Sequence, residues 1–483
     1  MRSYFRSVLT CAILVLSCAR ADARSGLPDA RPQVVSRGAM LHNAVAGSTG
    51  KRTAGERQVK VIHSFCVRKS CLDGDDLSGS LTRDASGNFY GTTFQGGIST
   101  FGTVFELVKD GNKHWKRVTL YQFCQQEKCT DGRSPIAPPI IDTAGNLIGT
   151  TFWGGLEDDE PNHNGHGIIY KLTPNADKTR WTFKVLHTFC ANGTCADGAQ
   201  PSVAFTYQGS AQGLPYDGVS PLYLPTEMGG AHDDGAVIEF VPKAGTDHWQ
   251  ESVLYDFCSR GGANCMDGAF PGPNALLLMD KSGNLFGTTT NGGQTIYGGV
   301  VFELTNTGRH RWSETVVHRF TLGTPAWHDG SSPVSGVVWG PDGDLFGTTF
   351  EGGSSAGRGV LYKLTPNGGK WKYRVLHSFC QGGGHCPDGA APRGGLLVDD
   401  AGNIFGTTSS GGNGYDIYGT GGGLIFELKK SFKILHLFCS AVGDCSDGEY
   451  PHADLMRDSA GHIFGSTELG GEYFGGAVFQ FKP

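Results

Sequence analysis

The chain has 483 residues, of which 75 are glycines and only 18% are charged, and its formal net charge is -6. So many glycines and so few charges disfavour a helical protein and favour short strands joined by turns. The chain has no long run of lysine or arginine, so nothing in it would follow a phosphate backbone, and nucleic acid is not an expected partner.

The N-terminus carries an export signal. Arg2 and Arg6 precede an apolar run, residues 8–18, that is too short to span a bilayer and is followed by small residues. This pattern predicts a secretory signal peptide over residues 1–23 and a secreted or periplasmic protein. A second interpretation is that Cys18 belongs to a lipobox and is acylated, which would make the chain an outer-surface lipoprotein.

The signal peptide is followed by a segment with no apolar periodicity. Residues 24–57 are rich in Arg, Pro, Gly, Ser and Ala and cannot bury enough surface to fold, so they are predicted to be a disordered linker. No further transmembrane stretch is present in the sequence. The folded domain is therefore expected over residues 58–483, as a monomer.

One short segment occurs seven times in this domain. Its last three residues are His or Tyr, then any residue, then Phe. The copies are Ile62–Phe65, Leu120–Phe123, Leu186–Phe189, Leu254–Phe257, Val317–Phe320, Leu376–Phe379 and Leu435–Phe438. Their phenylalanines lie 58, 66, 68, 63, 59 and 59 residues apart, and an Asp-Gly pair follows each copy. A period near 60 residues indicates a repeat architecture.

Each repeat divides into four extended runs separated by turn residues, as the sixth repeat illustrates. Its runs are Gly395–Asp399, Asn403–Thr408, Gly423–Leu428 and Phe432–Phe438. Four short strands repeated seven times predict an all-β fold, a seven-bladed β-propeller of four-stranded blades. The domain starts on a fourth strand (59–65) and stops on a third, so the N-terminal strand is expected to complete the last blade and close the ring.

Twelve cysteines follow the repeated phenylalanines in close pairs. The pairs are Cys66/Cys71, Cys124/Cys129, Cys190/Cys195, Cys258/Cys265, Cys380/Cys386 and Cys439/Cys445. The export signal favours local disulfides over half zinc sites. The fifth repeat has Thr321 at the first cysteine position and lacks the second cysteine as well, which supports pairing within a repeat.

The segments LHSF, DGxxP, GNLxGTT, GG and GTVFEL recur in this order over residues 59–483. In this respect the chain resembles the GloVer repeat of the choice-of-anchor tandem repeat proteins, which are exported bacterial proteins. The resemblance implies export and a repeat fold, and it brings no activity with it. The paired cysteines resemble an elaboration of the usual repeat.

Two recurring features are interpreted as scaffold because every repeat contains them. The aspartates of the Asp-Gly pairs are expected to bond nearby backbone N–H groups in turns. The His or Tyr two residues before each Phe is expected to be a packing residue hydrogen-bonded to a threonine of the second strand.

Functional residues are sought instead where one repeat departs from the others. In the second blade, the loop between the second and third strands contains four carboxylates and two histidines. A divalent cation could be held there by Glu157, Asp158, Asp159, His163 and His166, although a solvated acidic loop is the alternative. Apart from this cation, no cofactor is expected.

Aromatic residues mark the other departures, and they predict a ligand-binding rim. These residues are Trp153, Trp327, Tyr415, Asp416 and Tyr418. The topology places them on the face that carries the cysteine loops, so they and the disulfides are expected to share one rim. The sequence therefore predicts a module that binds a glycan or a protein on its loop-rich face. The alternatives are an extracellular lyase or glycosidase at the channel mouth and a structural cell-surface protein.

Overall fold

The computed structural model describes residues 59–67, 69–111, 114–156, 165–243, 245–246, 248–262, 264–308, 311–321, 326–353, 357–381, 385–412, 421–440 and 444–483. Within these ranges the chain forms 29 β-strands, four short 3-10 helices and no α-helix. The strands build seven antiparallel sheets, which are the blades of a propeller, so the predicted fold is confirmed.

In blades I to III the strands run outward from the axis in chain order. Blade I contains β2 (Thr82–Arg83), β3 (Phe89–Thr93), β4 (Thr103–Asp110) and β5 (His114–Gln122). Blade II contains β6 (Ile140–Ile141), β7 (Leu147–Thr151), β8 (Ile168–Pro174) and β9 (Trp181–Thr188). Blade III contains β10 (Leu222–Thr226), β11 (Ala236–Pro242) and β12 (Trp249–Asp256), and two bridges, from Ala199 to Met228 and from Thr206 to Tyr223, take the place of its innermost strand.

Blades IV to VI follow the same order. Blade IV contains β13 (Ala269–Pro271), β14 (Leu278–Met279), β15 (Leu285–Asn291), β16 (Val300–Gly308) and β17 (Arg311–Arg319). Blade V contains β18 (Val338–Trp339), β19 (Leu345–Thr349), β20 (Val360–Asn367) and β21 (Lys370–Ser378). Blade VI contains β22 (Leu397–Val398), β23 (Ile404–Thr408), β24 (Leu424–Leu428) and β25 (Phe432–Leu437).

Blade VII closes the ring with a strand from the other end of the chain. It contains β26 (Glu449–Pro451), β27 (Met456–Arg457), β28 (Ile463–Leu469), β29 (Ala477–Phe481) and β1 (Lys60–Ser64). β1 pairs antiparallel with β29, with Lys60 opposite Gln480 and Ser64 opposite Ala477. The predicted closure is confirmed. The 3-10 helices are Lys69–Cys71, Glu127–Cys129, Ser210–Gln212 and Ala326–Asp329.

The innermost strand is interrupted in each blade, which the sequence did not predict. Its first part pairs with the end of the second strand, either as a short strand or as a bridge such as that from Asp75 to Gln95. A residue with a left-handed backbone comes next in all seven repeats, and its N–H donates to a carbonyl of the preceding blade. These residues are Asp76, Ser134, Gln200, Phe270, Ser332, Ala391 and Tyr450. The interruption therefore links neighbouring blades at the axis.

The glycine of the GTT segment accommodates an aromatic ring from the third strand. A Cβ atom at Gly465 would lie 2.5 Å from Cζ of Phe479, its partner across the strands. Blade III reverses the sizes, because Leu224 takes the glycine position and faces Ile238 instead of an aromatic residue. Both side chains are fully buried. The degenerate third repeat thus keeps its core by exchanging volume between two strands.

The hydrophobic core lies between the blades. The seven repeated phenylalanines at the ends of the fourth strands are at most 1% exposed. Phe379, for example, contacts Phe426 of the next blade at a ring distance of 5.5 Å. Because each blade covers its neighbour, the positions that recur are those that build the core.

Candidate functional site

In five of the seven repeats the repeated His or Tyr is hydrogen-bonded to the aspartate of the Asp-Gly pair, and not to a threonine as predicted. His377 Nε2 lies 3.0 Å from Asp388 Oδ2, and the Tyr121 hydroxyl donates to Asp131 at 2.7 Å. The same aspartates accept backbone N–H groups, for example Cys380 N at 2.9 Å from Asp388. The turn function predicted for the Asp-Gly pairs agrees with these bonds. The threonine prediction was wrong because the cysteine loop folds back over the end of the fourth strand.

The threonines of the GTT segment have another structural task. The hydroxyl of the second threonine donates to the backbone two residues later, as in the 3.0 Å bond from Thr408 to the carbonyl of Ser410. The first threonine reaches the next blade in several seams, for example from Thr288 to the carbonyl of Ser335 at 2.9 Å. These contacts stabilise the scaffold.

All six cysteine pairs form disulfides within their repeats, as predicted. The bonds are Cys66–Cys71, Cys124–Cys129, Cys190–Cys195, Cys258–Cys265, Cys380–Cys386 and Cys439–Cys445. His166 lies close to the third of these bonds, with its ligand atom and the two sulfur atoms within 4.8 Å of one another. Because the two sulfur atoms are bonded to each other, they are not available as thiolate ligands.

Five of the disulfide cysteines, which the sequence predicts on the rim, are buried: Cys190, Cys380, Cys386, Cys439 and Cys445. The sequence predicts the disulfides on the rim of the loop-rich face, but Cys386 is buried, with 8% of its surface exposed, and packs in a small cluster with Cys380 and Ala390. The reason is that its backbone carbonyl accepts two N–H groups, from Gly389 at 2.9 Å and from Gly412 at 2.8 Å, and these bonds draw the loop onto the blade. Cys386 is therefore a buried structural residue and does not line a binding surface.

Most of the sequence-predicted site lies outside the described residues. This holds for Glu157, Asp158, Asp159, His163, Tyr415, Asp416 and Tyr418, and for the side chain of Trp327. Trp153 is half-buried against Phe152, with the ring centroids 4.9 Å apart. His166 uses its backbone carbonyl to accept the N–H of Gln200 at 2.9 Å. The rim and the cation loop therefore stay predictions.

A group of charged residues that break the repeat meets at the axis between blades VI, VII and I. We call these residues the axial cluster: Asp76, Arg393, His452, Asp454 and Glu468. Glu468 is on β28, and the other four belong to the innermost segments of their blades. The cluster lies at the end of the second strands, toward the face that carries the disulfide loops.

Direct contacts join two members of the axial cluster within blade VII and attach a third to the backbone of blade VI. His452 Nε2 lies 2.9 Å from Glu468 Oε2. The Gly395 N–H donates to Asp454 Oδ1 at 2.6 Å, and a Cβ atom at Gly395 would lie 2.5 Å from that oxygen. Glycine is therefore required at this position if the carboxylate is to approach the backbone of blade VI.

Other contacts orient the two ends of the axial cluster. Asp76 accepts the hydroxyl of Ser78 at 2.5 Å and the amide of Gln95 at 3.3 Å. The Arg393 guanidinium lies over the Phe350 ring, 4.7 Å from its centroid. An arginine stacked on an aromatic ring is held in place by that contact.

Burial and neighbouring charges shift the pKa values of two carboxyl groups in the axial cluster, those of Asp76 and Glu468, in opposite directions. Burial, reinforced by the charge of Glu468, raises the pKa of Asp76 well above its usual value. Burial alone would also raise the pKa of Glu468, but the hydrogen bond to His452 and the charges of His452 and Arg393 lower it. The pKa values of Asp76 and Glu468 are thus shifted in opposite directions, upward for Asp76 and downward for Glu468.

The same positions in the other blades are mostly uncharged. At the position of Arg393 and His452, blades II to V carry Ile136, Ser202, Gly272 and Val334. At the position of Glu468, the residues are Phe94, Phe152, Glu227, Thr290, Phe350 and Ser409. The side chains of Glu468 and His452 keep 15% and 10% of their surface exposed. The axial cluster is therefore not part of the repeated scaffold, and four of its five residues are partly exposed, whereas His452 is buried.

Sequence reasoning missed the axial cluster, although the signal was present. The search for departures from the repeat considered long loops and left out single substitutions inside the DGxxP and GTT segments. Aligning those two segments alone would have separated Arg393, His452 and Glu468 from their counterparts.

The repeat units match a known family model. The model described as the Gloeobacter/Verrucomicrobia repeat matches residues 42–270, 160–414 and 272–483. The chain belongs to this repeat family. No curated protein matches the chain.

Solved propellers are similar only at low sequence identity. PorZ, an essential bacterial surface component of the type-IX secretion system of Porphyromonas gingivalis, matches with a TM-score of 0.45 and 12% identity over 86% of this chain. The match spans about half of PorZ, 48% of its length. The NanB sialidase of Streptococcus pneumoniae matches with a TM-score of 0.39 and 12% identity, over 86% of this chain and 70% of the sialidase. At these TM-scores neither likeness bears on function.

Proposed function

We propose that this chain is an exported binding module that recognises a carbohydrate at the axial cluster, on the loop-rich face. One observation carries this proposal, namely the convergence of non-repeated charged side chains from three blades at the axis. A structural surface protein would have no reason to bring five ionisable groups together where its other blades carry mostly uncharged residues, since burying charge is costly.

The chemistry of the axial cluster suits a ligand rich in hydroxyl groups. Arg393 and the amide of Gln95 offer N–H donors, and the carboxyl groups of Asp76 and Glu468 offer oxygen atoms, while buried His452 orients Glu468 from a distance of 2.9 Å. Phe94 and Phe350 stand beside them with part of their surface exposed. Polar groups of both kinds next to aromatic rings are typical of sites that fix the orientation of a small polar ligand.

A second candidate function is acid–base catalysis on the same carbohydrate, as in a lyase or glycosidase. It is favoured by the opposite pKa shifts of Asp76 and Glu468. When two neighbouring groups titrate far apart, one can serve as an acid while the other serves as a base.

The predicted aromatic rim and the predicted cation site at Glu157, Asp158, Asp159, His163 and His166 extend the proposal to the same face. Export rests on the predicted signal peptide, and the six disulfides support an oxidising compartment. Among the described residues no helix is long and apolar enough to cross a membrane. Acylation at Cys18 stays an alternative to a free secreted or periplasmic protein.

The test is a binding screen of the full chain against a panel of polysaccharides, with two variants and one matched control. Glu468→Gln should weaken binding of the captured glycan by about tenfold, a typical effect of losing one charged hydrogen bond. Glu227→Gln is the control, since it makes the same change at the same repeat position of blade III and should leave the affinity unaltered.

The second variant replaces Trp153, Tyr415 and Tyr418 with alanine, and it separates the rim from the axis. If only this variant loses the glycan, the axial cluster is the wrong site. Formation of new reducing ends or of an unsaturated product by the wild type, abolished in Glu468→Gln, would establish the enzyme in place of the binder.

A further inference from the structure

A second recess lies on the face opposite the disulfide loops, where blade VII meets blade I. Its volume is about 550 Å³, and its walls come from the β2–β3 turn, the end of β4, the start of β5 and the ends of β29 and β1. We call it the seam groove. The disulfide loops follow the other ends of β5 and β1, so the seam groove and the axial cluster are separate sites.

The seam groove results from the way the ring closes. In blade I the third and fourth strands have eight and nine residues. In blade VII the corresponding strands, β29 and β1, have only five residues each and come from opposite ends of the folded domain. No hairpin turn joins β29 to β1 directly. The outer strands of blade VII therefore stop short of those of blade I, and the difference in length leaves the recess.

Four exposed cationic side chains line the seam groove: Lys60, Arg83, Lys109 and Lys482. Among the described residues, none of the four is paired with a carboxylate. The acidic residue of the lining is Asp458, which already accepts the N–H groups of Ala460 and His462 and lies 3.0 Å from His462 Nδ1. Its carboxylate is thus occupied by hydrogen bonds within its own turn.

Four exposed cations around one recess give it an excess of positive charge, which an anion can neutralise. Nothing in the fold requires them, since the hydrophobic contacts below would be the same with neutral polar side chains at the rim. An excess of one charge in a concave site concentrates ligands of the opposite charge.

The floor of the seam groove is aromatic and rigid. Trp115 is half-buried, and its ring lies 5.2 Å from that of Phe89, which lies 4.7 Å from that of Phe464. The indole is fixed in the seam and presents part of its surface to the recess. An aromatic surface of this kind can stack against the apolar C–H face of a sugar ring, while the surrounding cations meet acidic groups on the same ring.

We propose that the seam groove binds an acidic oligosaccharide, with a sugar ring on Trp115 and its carboxylate groups facing Lys60, Arg83, Lys109 and Lys482. This site is independent of the axial cluster. The two sites together would let the propeller hold two saccharide segments on opposite faces.

The test uses calorimetric titration of the full chain with oligogalacturonate, a chain of sugar carboxylates, at low and high salt. The wild type should bind it, and the affinity should fall as salt screens the exposed charges. A neutral maltooligosaccharide of the same length should not bind at the seam groove. The triple variant Arg83→Gln, Lys109→Gln and Lys482→Gln should lose about tenfold or more in affinity.

A matched triple variant controls for net charge. Lys370→Gln, Lys372→Gln and Arg374→Gln remove the same number of exposed cations from the outer strand of blade V, beside Trp371 at the repeat position of Trp115. This variant should bind within about twofold of the wild type, since the lost charges lie outside the seam groove. If the two triple variants lost the same affinity for oligogalacturonate, the binding would come from the net charge of the protein. The seam groove would then not be the binding site.

Three further results would overturn the proposal. Absence of oligogalacturonate binding at low salt would exclude the site altogether. Equal binding of the neutral sugar would remove the role of the cations. Equal binding of polyaspartate of the same length, lost in the same variant, would show that the seam groove recognises an acidic polypeptide and not a carbohydrate.

Discussion

Blades III and VII both depart from the repeat, and they do so in different ways. In blade III, Leu224 and Ile238 exchange volume so that the core stays filled, and Glu227 is buried with Oε1 lacking a hydrogen-bond partner among the described residues. In blade VII the apolar core keeps the usual glycine and aromatic pair, and the departures are polar. Glu468 occupies the repeat position of Glu227 and contacts His452.

The difference separates two kinds of deviation from a repeat. A compensated deviation, such as the pair in blade III, preserves packing and carries no information about ligands. A deviation that gathers groups from several blades, such as the axial cluster, has stability costs that the scaffold alone does not explain. The second kind indicates function, and the three predictions below test this distinction in order of expected effect.

The largest effect is expected from the strand that blade VII takes from the N-terminal part of the domain. A variant that starts after residue 65 lacks β1 and with it Ile62 and Phe65, which are buried. We expect a loss on the order of 5 kcal/mol or more in the free energy of unfolding, together with association through the exposed edge of β29. Thermal melting and light scattering would measure both.

The matched control for the strand removal starts at residue 58 and keeps β1. It should melt like the full chain, because the predicted linker contributes no core. A truncation after residue 65 that stays monomeric with an unchanged melting temperature would contradict closure by β1.

The exchange of volume in blade III predicts an intermediate effect. Leu224→Gly should cost about 3–5 kcal/mol, because a buried Leu is removed from a filled core. Ile238→Phe alone should also destabilise, since a ring at this position needs a glycine opposite. The double variant restores the pair found in the other blades, so its loss should be clearly smaller than the sum of the single losses.

Chemical denaturation of the four proteins gives the coupling free energy of this pair. A coupling near zero would mean that blade III is packed in its own way and that the two positions are not exchanged copies of the glycine and aromatic pair.

The fold was predictable because its signals recur. The spacing of the phenylalanines, the GTT segments and the short cysteine pairs appear in nearly every repeat, so each strand was identified several times over. The interrupted innermost strand was not predictable, because it depends on left-handed residues as different as Asp76, Phe270 and Tyr450. These residues adopt the left-handed conformation because their N–H groups then donate to a carbonyl of the preceding blade.

The axial cluster was harder to predict because its members are far apart in the sequence. Asp76 and Glu468 are separated by almost the whole domain and meet only when the ring closes. The hydrogen-bond partner of the repeated histidines was also missed, since Asp388 lies eleven residues after His377 and reaches it only through the disulfide loop. The burial of Cys386 in that loop was missed for the same reason, because it depends on backbone bonds to a later glycine-rich segment.

The smallest effect is expected from the two glutamates that share one repeat position. Burial raises the pKa of Glu227 to about 8, above the usual 4.5. Between these pH values the folded chain holds a proton that the unfolded chain has lost, so stability falls as the pH rises from about 4.5 to about 8. Glu227→Gln should remove this fall, so the variant should be more stable than the wild type at pH 8.5 and should differ least from it near pH 5.

Glu468→Gln should change the profile in the opposite sense. Because contacts with His452 and Arg393 lower the pKa of Glu468, its ionised form stabilises the fold above about pH 4.5, and this contribution is lost as the pH falls through the lowered value. The variant should therefore be less stable than the wild type at pH 7, where Arg393 and His452 lose their carboxylate. Urea denaturation at pH 5, 7 and 8.5 measures both variants. Parallel profiles for the two would mean that the position acts alike in blades III and VII, and the distinction between compensated and functional deviations would fail.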